Sequence, residues 1–283
     1  MNLCAATLGP VQVQAPPSYR FADRYTRSEL LHDPERARAF VLDYLDSEAV
    51  YFRAARDPDS GLTFDGLDLD ALDGHPTDVR FWSAPSKECL DLGVLVKALG
   101  GHPDAARVVS PGRPEQAADR AADILRRKMD SYQRFHRQQP GYGGFLPWFY
   151  GGTDLHPTPD WQGDCPGLDN GEWVWTMLVA EKALRDAGYA REAQRYSEYN
   201  QMLQRNAVRM FYDPAAGKVR GDVHIVDPYR ADTEYRTNHG KPGRADYLSG
   251  EHGVHEGMML VLYVTLFGQG LPEGAERRIW DGI

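Results

Sequence analysis

Apolar residues recur along this chain at helical spacing, segment after segment, and no run of alternating strands interrupts them. Residues 1–27 carry Pro10, Pro16 and Pro17 and read as an irregular lead-in. Ser28 or Asp33 can cap the first helix. Pro34 suits its opening turn, and Phe40, Val41, Tyr44, Leu45 and Phe52 form its stripe. Asp57-Pro58-Asp59-Ser60-Gly61 ends it as a turn, and residues 62–82 read as loop. A second helix is expected from Ser86 to about Leu99, stopped by Gly100-Gly101. A third spans about Pro114 to His136 on Ala118, Ala121, Leu125, Met129, Tyr132 and Phe135. A fourth starts near Asp169 and ends at Gly188, and a fifth reaches Phe211. Asp213 to Gly217 is a turn. A sixth helix covers 255–268 and a seventh begins at 273.

Two connections are longer than loops without structure of their own usually are. One is 137–167. The other is 218–250, with a short hairpin expected around Val219–Val226. They hold Trp148, Trp161, Tyr229, Arg230, Tyr235, Arg236, His239 and Tyr247, more aromatic surface than a disordered linker carries. They are therefore expected to be ordered and to line a site. An all-α fold built as an array of helical hairpins, with its long loops gathered at one end, satisfies this pattern. The (α/α)-toroid does so better than a bundle with short connections. The expected organisation is a lead-in over 1–27 and one (α/α)-barrel-type domain over 28–283.

The chain has 283 residues, 42% of them hydrophobic, enough for a substantial core. A net charge of −9 without a long Lys/Arg run argues against nucleic acid or an anionic membrane surface as partner. Cys4, Cys89 and Cys165 are odd in number and widely spaced, so neither a disulfide framework nor a zinc site is expected. No apolar run reaches transmembrane length, and Met1 to Pro17 lacks the basic start and apolar block of a signal peptide. The expectation is a cytoplasmic protein, or a secreted or periplasmic one if the natural N-terminus lies upstream. Nothing sets the oligomeric state.

Two stretches place carboxylates at helix starts: Leu168-Asp169-Asn170-Gly171-Glu172-Trp173, and Gly253-Val254-His255-Glu256-Gly257 ahead of an apolar helix. A carboxylate there meets unpaired N–H groups and the positive end of the helix dipole. The ordinary role is capping, with Asp169 as N-cap and Glu172 at its third position. The chemical role is contact with a ligand. Ser249-Gly250-Glu251-His252 offers a second, lower-ranked carboxylate near Glu256. His252-Gly253-Val254-His255-Glu256 has neither zinc-protease order, so no metal is expected. No phosphate-binding glycine loop and no nucleophile elbow occurs, so no cofactor is implied.

These residues carry a resemblance. Gly253 to Tyr263 is similar to the Gly-x-Asn-Glu helix start of endo-β-1,2-glucanases and glycoamylase-like proteins. Asp169-Asn170-Gly171 resembles the Asp-Asn-Gly start in that group and in cyclic β-1,2-glucan synthases. Tyr142-Gly143-Gly144-Phe145-Leu146-Pro147-Trp148 resembles a loop lining their sugar cleft, and the order of the three matches. The resemblance implies an (α/α)6 toroid acting on β-1,2-glucan or a related glucose polymer. It makes Glu256 the general acid and puts Asp169 and Asn170 on sugar.

There are departures. His255 stands where the family has Asn, and the chain ends before the family's second catalytic carboxylate. A full toroid has twelve helices and the pattern yields about six and a half, so a truncated domain is expected. Glycoside hydrolysis ordinarily needs two carboxyl groups, one held protonated. The expected acid is Glu256, with Glu251 its rival. The expected sugar contacts are Asp169, Asn170, Glu172, Trp148, Arg230, Arg236, His239 and Tyr247. Arg230 and Arg236 have an equally good reading as a solvated, salt-bridged loop. The alternative function is a non-catalytic carbohydrate-binding or scaffold protein of the same fold.

Overall fold

The computed structural model describes residues 19–70, 76–249 and 257–283. It is mostly helical, with short strands confined to the connections. The lead-in is not irregular throughout. Tyr19–Arg24 is a 3-10 helix, and Phe21 packs on Phe40 and Tyr44. Helix α1 (Arg27–His32) is capped by Thr26, not Ser28. Thr26 and Glu29 form a reciprocal capping box, and Ser28 lies inside the helix. Helix α2 (Pro34–Ala54) begins as expected. Asp33 accepts from the N–H groups of Glu35 and Arg36, and Pro34 fills the first turn.

Residues 62–82 are not plain loop. Strands β1 (Gly66–Leu69) and β2 (Pro76–Arg80) form an antiparallel pair, and β3 (Trp82–Ser83) comes next. Each run is too short to show alternation. Helix α3 (Pro85–Leu99) ends at Gly100 as expected. Helix α4 (Pro103–Val109) was not anticipated, because seven residues fall below the length at which helical periodicity can be read. Helix α5 (Ala117–Gln138) carries the expected stripe: Ala121, Leu125, Met129, Tyr132 and Phe135 are buried and Ala118 is half-buried.

The 137–167 connection holds β4 (Phe149–Tyr150), β5 (His156–Pro157) and β6 (Asp164–Pro166). Helix α6 (Gly167–Asp186) starts two residues earlier than its polar signal suggests, and α7 (Ala190–Phe211) comes after a tight turn. Beyond it lie β7 (Tyr212–Asp213), β8 (Lys218–Val219), β9 (Asp222–Ile225) and β10 (Tyr235–Thr237). The hairpin expected at Val219–Val226 is replaced by two other pairings. Strand β8 pairs back onto β7, and β9 is the middle strand between β6 and β10. Helices α8 (Met258–Phe267) and α9 (Ala275–Asp281) close the described chain. No helix among the described residues is long and apolar enough to cross a membrane.

Three helices start at the same end. Ser86, in the first turn of α3, meets Asp169, in the first turn of α6, and Cys89 faces Glu172 and Thr176 further along. Leu260 near the start of α8 lies against Gly167, and Phe267 reaches the Trp175 ring at 5.5 Å. So α3, α6 and α8 run in one direction, and the long connections leading into them arrive at one end. Strands sew those connections together: β3 pairs with β4, and β6 with β9. Below them lies a continuous apolar core, with Trp173 edge-on to Tyr132 and Tyr199, and Phe145 edge-on to Phe211.

Candidate active site

The start of α6 is fixed by close backbone approach. Gly167 N–H donates to the Gly221 carbonyl at 2.8 Å, and a Cβ at Gly167 would lie 2.8 Å from that oxygen. Only glycine fits there without a shift. Pro166 is the N-cap and makes no side-chain capping bond. Asp169 is therefore not a cap. It is the third residue of the helix, half-buried, and its carboxylate accepts from Ser86 Oγ on one oxygen and from Trp148 Nε1 at 3.0 Å on the other. Its place in the first turn still suits the helix dipole.

Asn170 is fully buried. Its Oδ1 accepts from Leu146 N–H at 3.0 Å, and its Nδ2 donates to the carbonyls of Leu146 (2.8 Å) and Pro166 (2.7 Å). No part of it is turned to solvent, so the sugar contact expected of Asn170 becomes a structural one that pins the 142–148 loop to α6. Glu172 is half-buried on α6 beside Cys89. Burial pushes the Cys89 thiol up to about 11 and the Glu172 carboxylate adds to this, against a Thr176 hydrogen bond.

Trp148 offers no free face. Its ring stacks on Trp82 at 5.2 Å and 12° and on Trp161 at 5.5 Å and 21°. Arg244 then covers Trp161, its guanidinium carbon 3.2 Å from the ring centroid. Sugar stacking on the face of Trp148 is therefore ruled out in this arrangement. Trp148 contributes its N–H instead. Trp173 is core, and Trp175 donates to the Met259 carbonyl at the α6–α8 contact.

Beyond Arg244 lies a polar cluster that sequence reasoning missed. Asp164 and Asp222, on neighbouring strands β6 and β9, are almost fully buried. Asp222 accepts from Arg244 at 2.6 Å and from Asn238 at 3.2 Å. Asp164 accepts from Lys241, pairs with His224 Nδ1 at 3.0 Å, and has Arg244 at 3.8 Å. Burial pushes the Asp222 carboxyl up to about 6, more than Arg244 and Asn238 pull it down. Burial also raises Asp164, but hydrogen bonds from Asn238, Lys241 and His224 outweigh this and hold it below its ordinary value. The only shared signal was two Gly-Asp pairs, Gly163-Asp164 and Gly221-Asp222, each opening a very short strand.

The remaining expected residues scatter. Arg230 pairs with Asp232, and Arg236 with Glu234, all four exposed at the outer edge of the β6–β9–β10 sheet. His239 is exposed and pairs with Asp246 at 3.0 Å. Tyr247 is half-buried and donates to Asp213 at 2.9 Å. Glu251, His252, His255 and Glu256 lie outside the described residues.

The loop end thus gathers a carboxylate with two assigned donors, a ladder of three indoles and a buried ionic cluster. Solved relatives share this chain's shape. It superposes on an endo-β-1,2-glucanase from Talaromyces funiculosus in complex with sophorose, with a TM-score of 0.81 at 30% identity, covering 94% of this chain and 53% of that one. A glutamate-to-glutamine mutant of the Talaromyces funiculosus enzyme, in complex with β-1,2-glucan, gives 0.80 at 29% identity with the same coverage. The chain spans about half the length of these structures. No curated protein matches it by sequence. The model of the family described as endo-β-1,2-glucanase SGL matches residues 62–282, from the turn after α2 to the end of α9, and the chain belongs to that family.

Proposed function

We propose that this chain is a β-1,2-glucan hydrolase whose general acid is Glu256 and whose glucose-contacting carboxylate is Asp169. Three helices start at the loop end and bring their long connections with them, which supports reading the array as an arc of an (α/α)6 toroid with its cleft on that face. The observation that carries the proposal is Asp169. It stands in the first turn of α6, is not used as a cap, and is oriented by Ser86 and Trp148 with part of its surface open. A carboxylate held in this way accepts hydrogen bonds from sugar hydroxyls without paying to be oriented.

The assignment of Glu256 rests on the Gly253–Gly257 motif and on the helix that this motif opens. Helix α8 begins at Met258, and its start lies against the start of α6. In the reaction, the Glu256 carboxyl gives its proton to the glycosidic oxygen as the bond to the anomeric carbon breaks, and a water adds to that carbon and gives up a proton to a base. Glu251 is the rival donor. Membership in a family of endo-β-1,2-glucanases and likeness to structures holding sophorose and β-1,2-glucan support the substrate.

The test is release of reducing ends from linear β-1,2-glucan by the wild-type chain and by Glu256→Gln. The expected result is release by the wild type, a loss of at least about a hundredfold in the variant, and retained glucan binding. Undiminished turnover in Glu256→Gln removes the acid assignment. Binding without release by the wild type favours a non-catalytic carbohydrate-binding protein.

A further inference from the structure

Asp169 is oriented from two sides, and the two sides differ in kind. Ser86 is on α3, an element packed along α6. Trp148 is in a loop, and its indole N–H points at Asp169 only while its ring stays in the stack. Between Trp82 and Trp161 the ring is clamped on both faces. Trp161 in turn is covered by Arg244, which comes from a different connection and is itself almost buried. Arg244 donates to the Asp160 carbonyl at 2.6 Å, next to Trp161, and to Asp222 at 2.6 Å. Its planar guanidinium can lie flat on an indole while its edges donate in plane, which an ammonium cannot do. Asp222 is fully buried and cannot reach a ligand, so its contribution passes through Arg244.

We propose that Arg244 and Asp222 are positioning residues that set the direction of the Asp169 carboxylate through the Trp161–Trp148 stack. The proposal rests on the reading of Asp169 as a glucose contact. The relay runs from β9, across the 238–248 connection, over the indole ladder, to the start of α6. It explains why a loop tryptophan with both faces covered stands beside the candidate carboxylate: it carries orientation, not sugar. It also explains why an arginine bound to a buried carboxylate lies over Trp161 rather than facing solvent.

The full chain, with Arg244→Leu, Arg244→Lys, Asp222→Asn and Asp169→Ala, tests this by two readouts. The first is the exciton circular dichroism of the stacked indoles, which needs no sugar. The second is KM and kcat on β-1,2-glucan. Arg244→Leu is expected to weaken the exciton signal and to raise KM about tenfold, with kcat changed less. Arg244→Lys is not expected to rescue either. Adding Arg244→Leu to Asp169→Ala is expected to cost nothing further, because the relay ends at Asp169.

A wild-type exciton signal and KM in Arg244→Leu overturns the relay, and so do losses that multiply in the double variant. If the wild type neither binds nor cleaves glucan, the function reading fails, and the exciton signal alone decides whether Arg244 holds the stack. If Arg244→Leu does not fold, Asp222→Asn takes its place with the same expected weakening. An unchanged stack in that variant overturns the proposal.

Discussion

Two clusters of buried carboxylates lie among the described residues, and they differ in how they are closed. In the first, Glu88 and Asp91 on α3 face Lys128 on α5 and Arg56 after α2. Lys128 Nζ lies 2.7 Å from Glu88 and 2.9 Å from Asp91, and Thr63 donates twice to Glu88 at 2.7 Å. Tyr132 adds a further bond to Glu88, and Arg56 grips Asp91. Lys128 and Glu88 are wholly buried, and two negative charges meet two positive ones. Although burial pulls Asp91 upward, Arg56 and Lys128 hold it below its ordinary value.

In the second cluster Asp164 and Asp222 are as deeply buried, and Arg244 with them, but two of their partners are not. Lys241 is 40% exposed and His224 45%. Asp222 is pushed up to about 6, so it changes charge near neutrality. The first cluster is a sealed staple between α3, α5 and the turn after α2. The second opens toward the loop end and reaches the indole ladder. Burial of a carboxylate therefore does not mark a site here. What distinguishes the candidate site is a buried cluster in which Lys241 and His224 still face solvent and Arg244 leads, through the indoles, to the partly open Asp169.

The contrast is broken most forcefully at Lys128. Lys128→Met leaves Asp91 to Arg56 and leaves the buried Glu88 to its hydrogen bonds from Thr63 and Tyr132. It is expected to lower unfolding free energy by about 3–5 kcal/mol in a denaturant titration. A loss below about 1 kcal/mol would show that this cluster is no staple.

The second cluster predicts a pH effect instead. As pH falls through about 6, Asp222 takes up its proton and the Arg244 ion pair becomes a hydrogen bond from a charged guanidinium to a neutral carboxyl. The indole exciton signal and glucan affinity are then expected to weaken together, with no such step near 6 in Asp222→Asn. The groups facing Asp222 are Arg244, Asn238, Asp164 and the Cys165 thiol, with Lys241 and His224 beyond Asp164. The effect on folding has the opposite sign. A carboxyl whose folded pKa is raised adds stability as pH falls from about 6 toward 4, whereas Asp164, held low, loses its contribution on acidification.

The smallest effect belongs to the exposed pairs. Arg230→Ala and Arg236→Ala are expected to change stability by no more than about 0.5 kcal/mol and to leave glucan release unchanged. A large loss of release in either would return those arginines to the site.

The helices of this fold were legible because their apolar stripes are long, and Pro34, Asp33 and Gly100 mark their ends. Asp169 was legible because it sits among turn-forming residues at a helix start, although Pro166 and Gly167, not Asp169, begin that helix. The strands were not legible. Phe149–Tyr150 or Asp164–Pro166 is too short to alternate, and each exists only because a distant connection supplies its partner. The same long-range pairing hid the indole ladder and the Asp164–Asp222 cluster of the candidate site. Trp82 meets Trp148 because β3 pairs with β4, and Asp164 meets His224 because β6 pairs with β9. Trp148 stands out in the sequence as a loop aromatic after Pro147, but the role of its ring depends on two neighbours that no local pattern reveals.

The central claim is that the loop end of this chain binds β-1,2-linked glucose through Asp169. Calorimetric titration of a β-1,2-glucooligosaccharide into the wild-type chain and into Asp169→Ala tests it. Saturable binding by the wild type is predicted, with affinity at least about tenfold weaker in the variant and an unchanged melting temperature. Equal affinity in the two proteins would contradict the account.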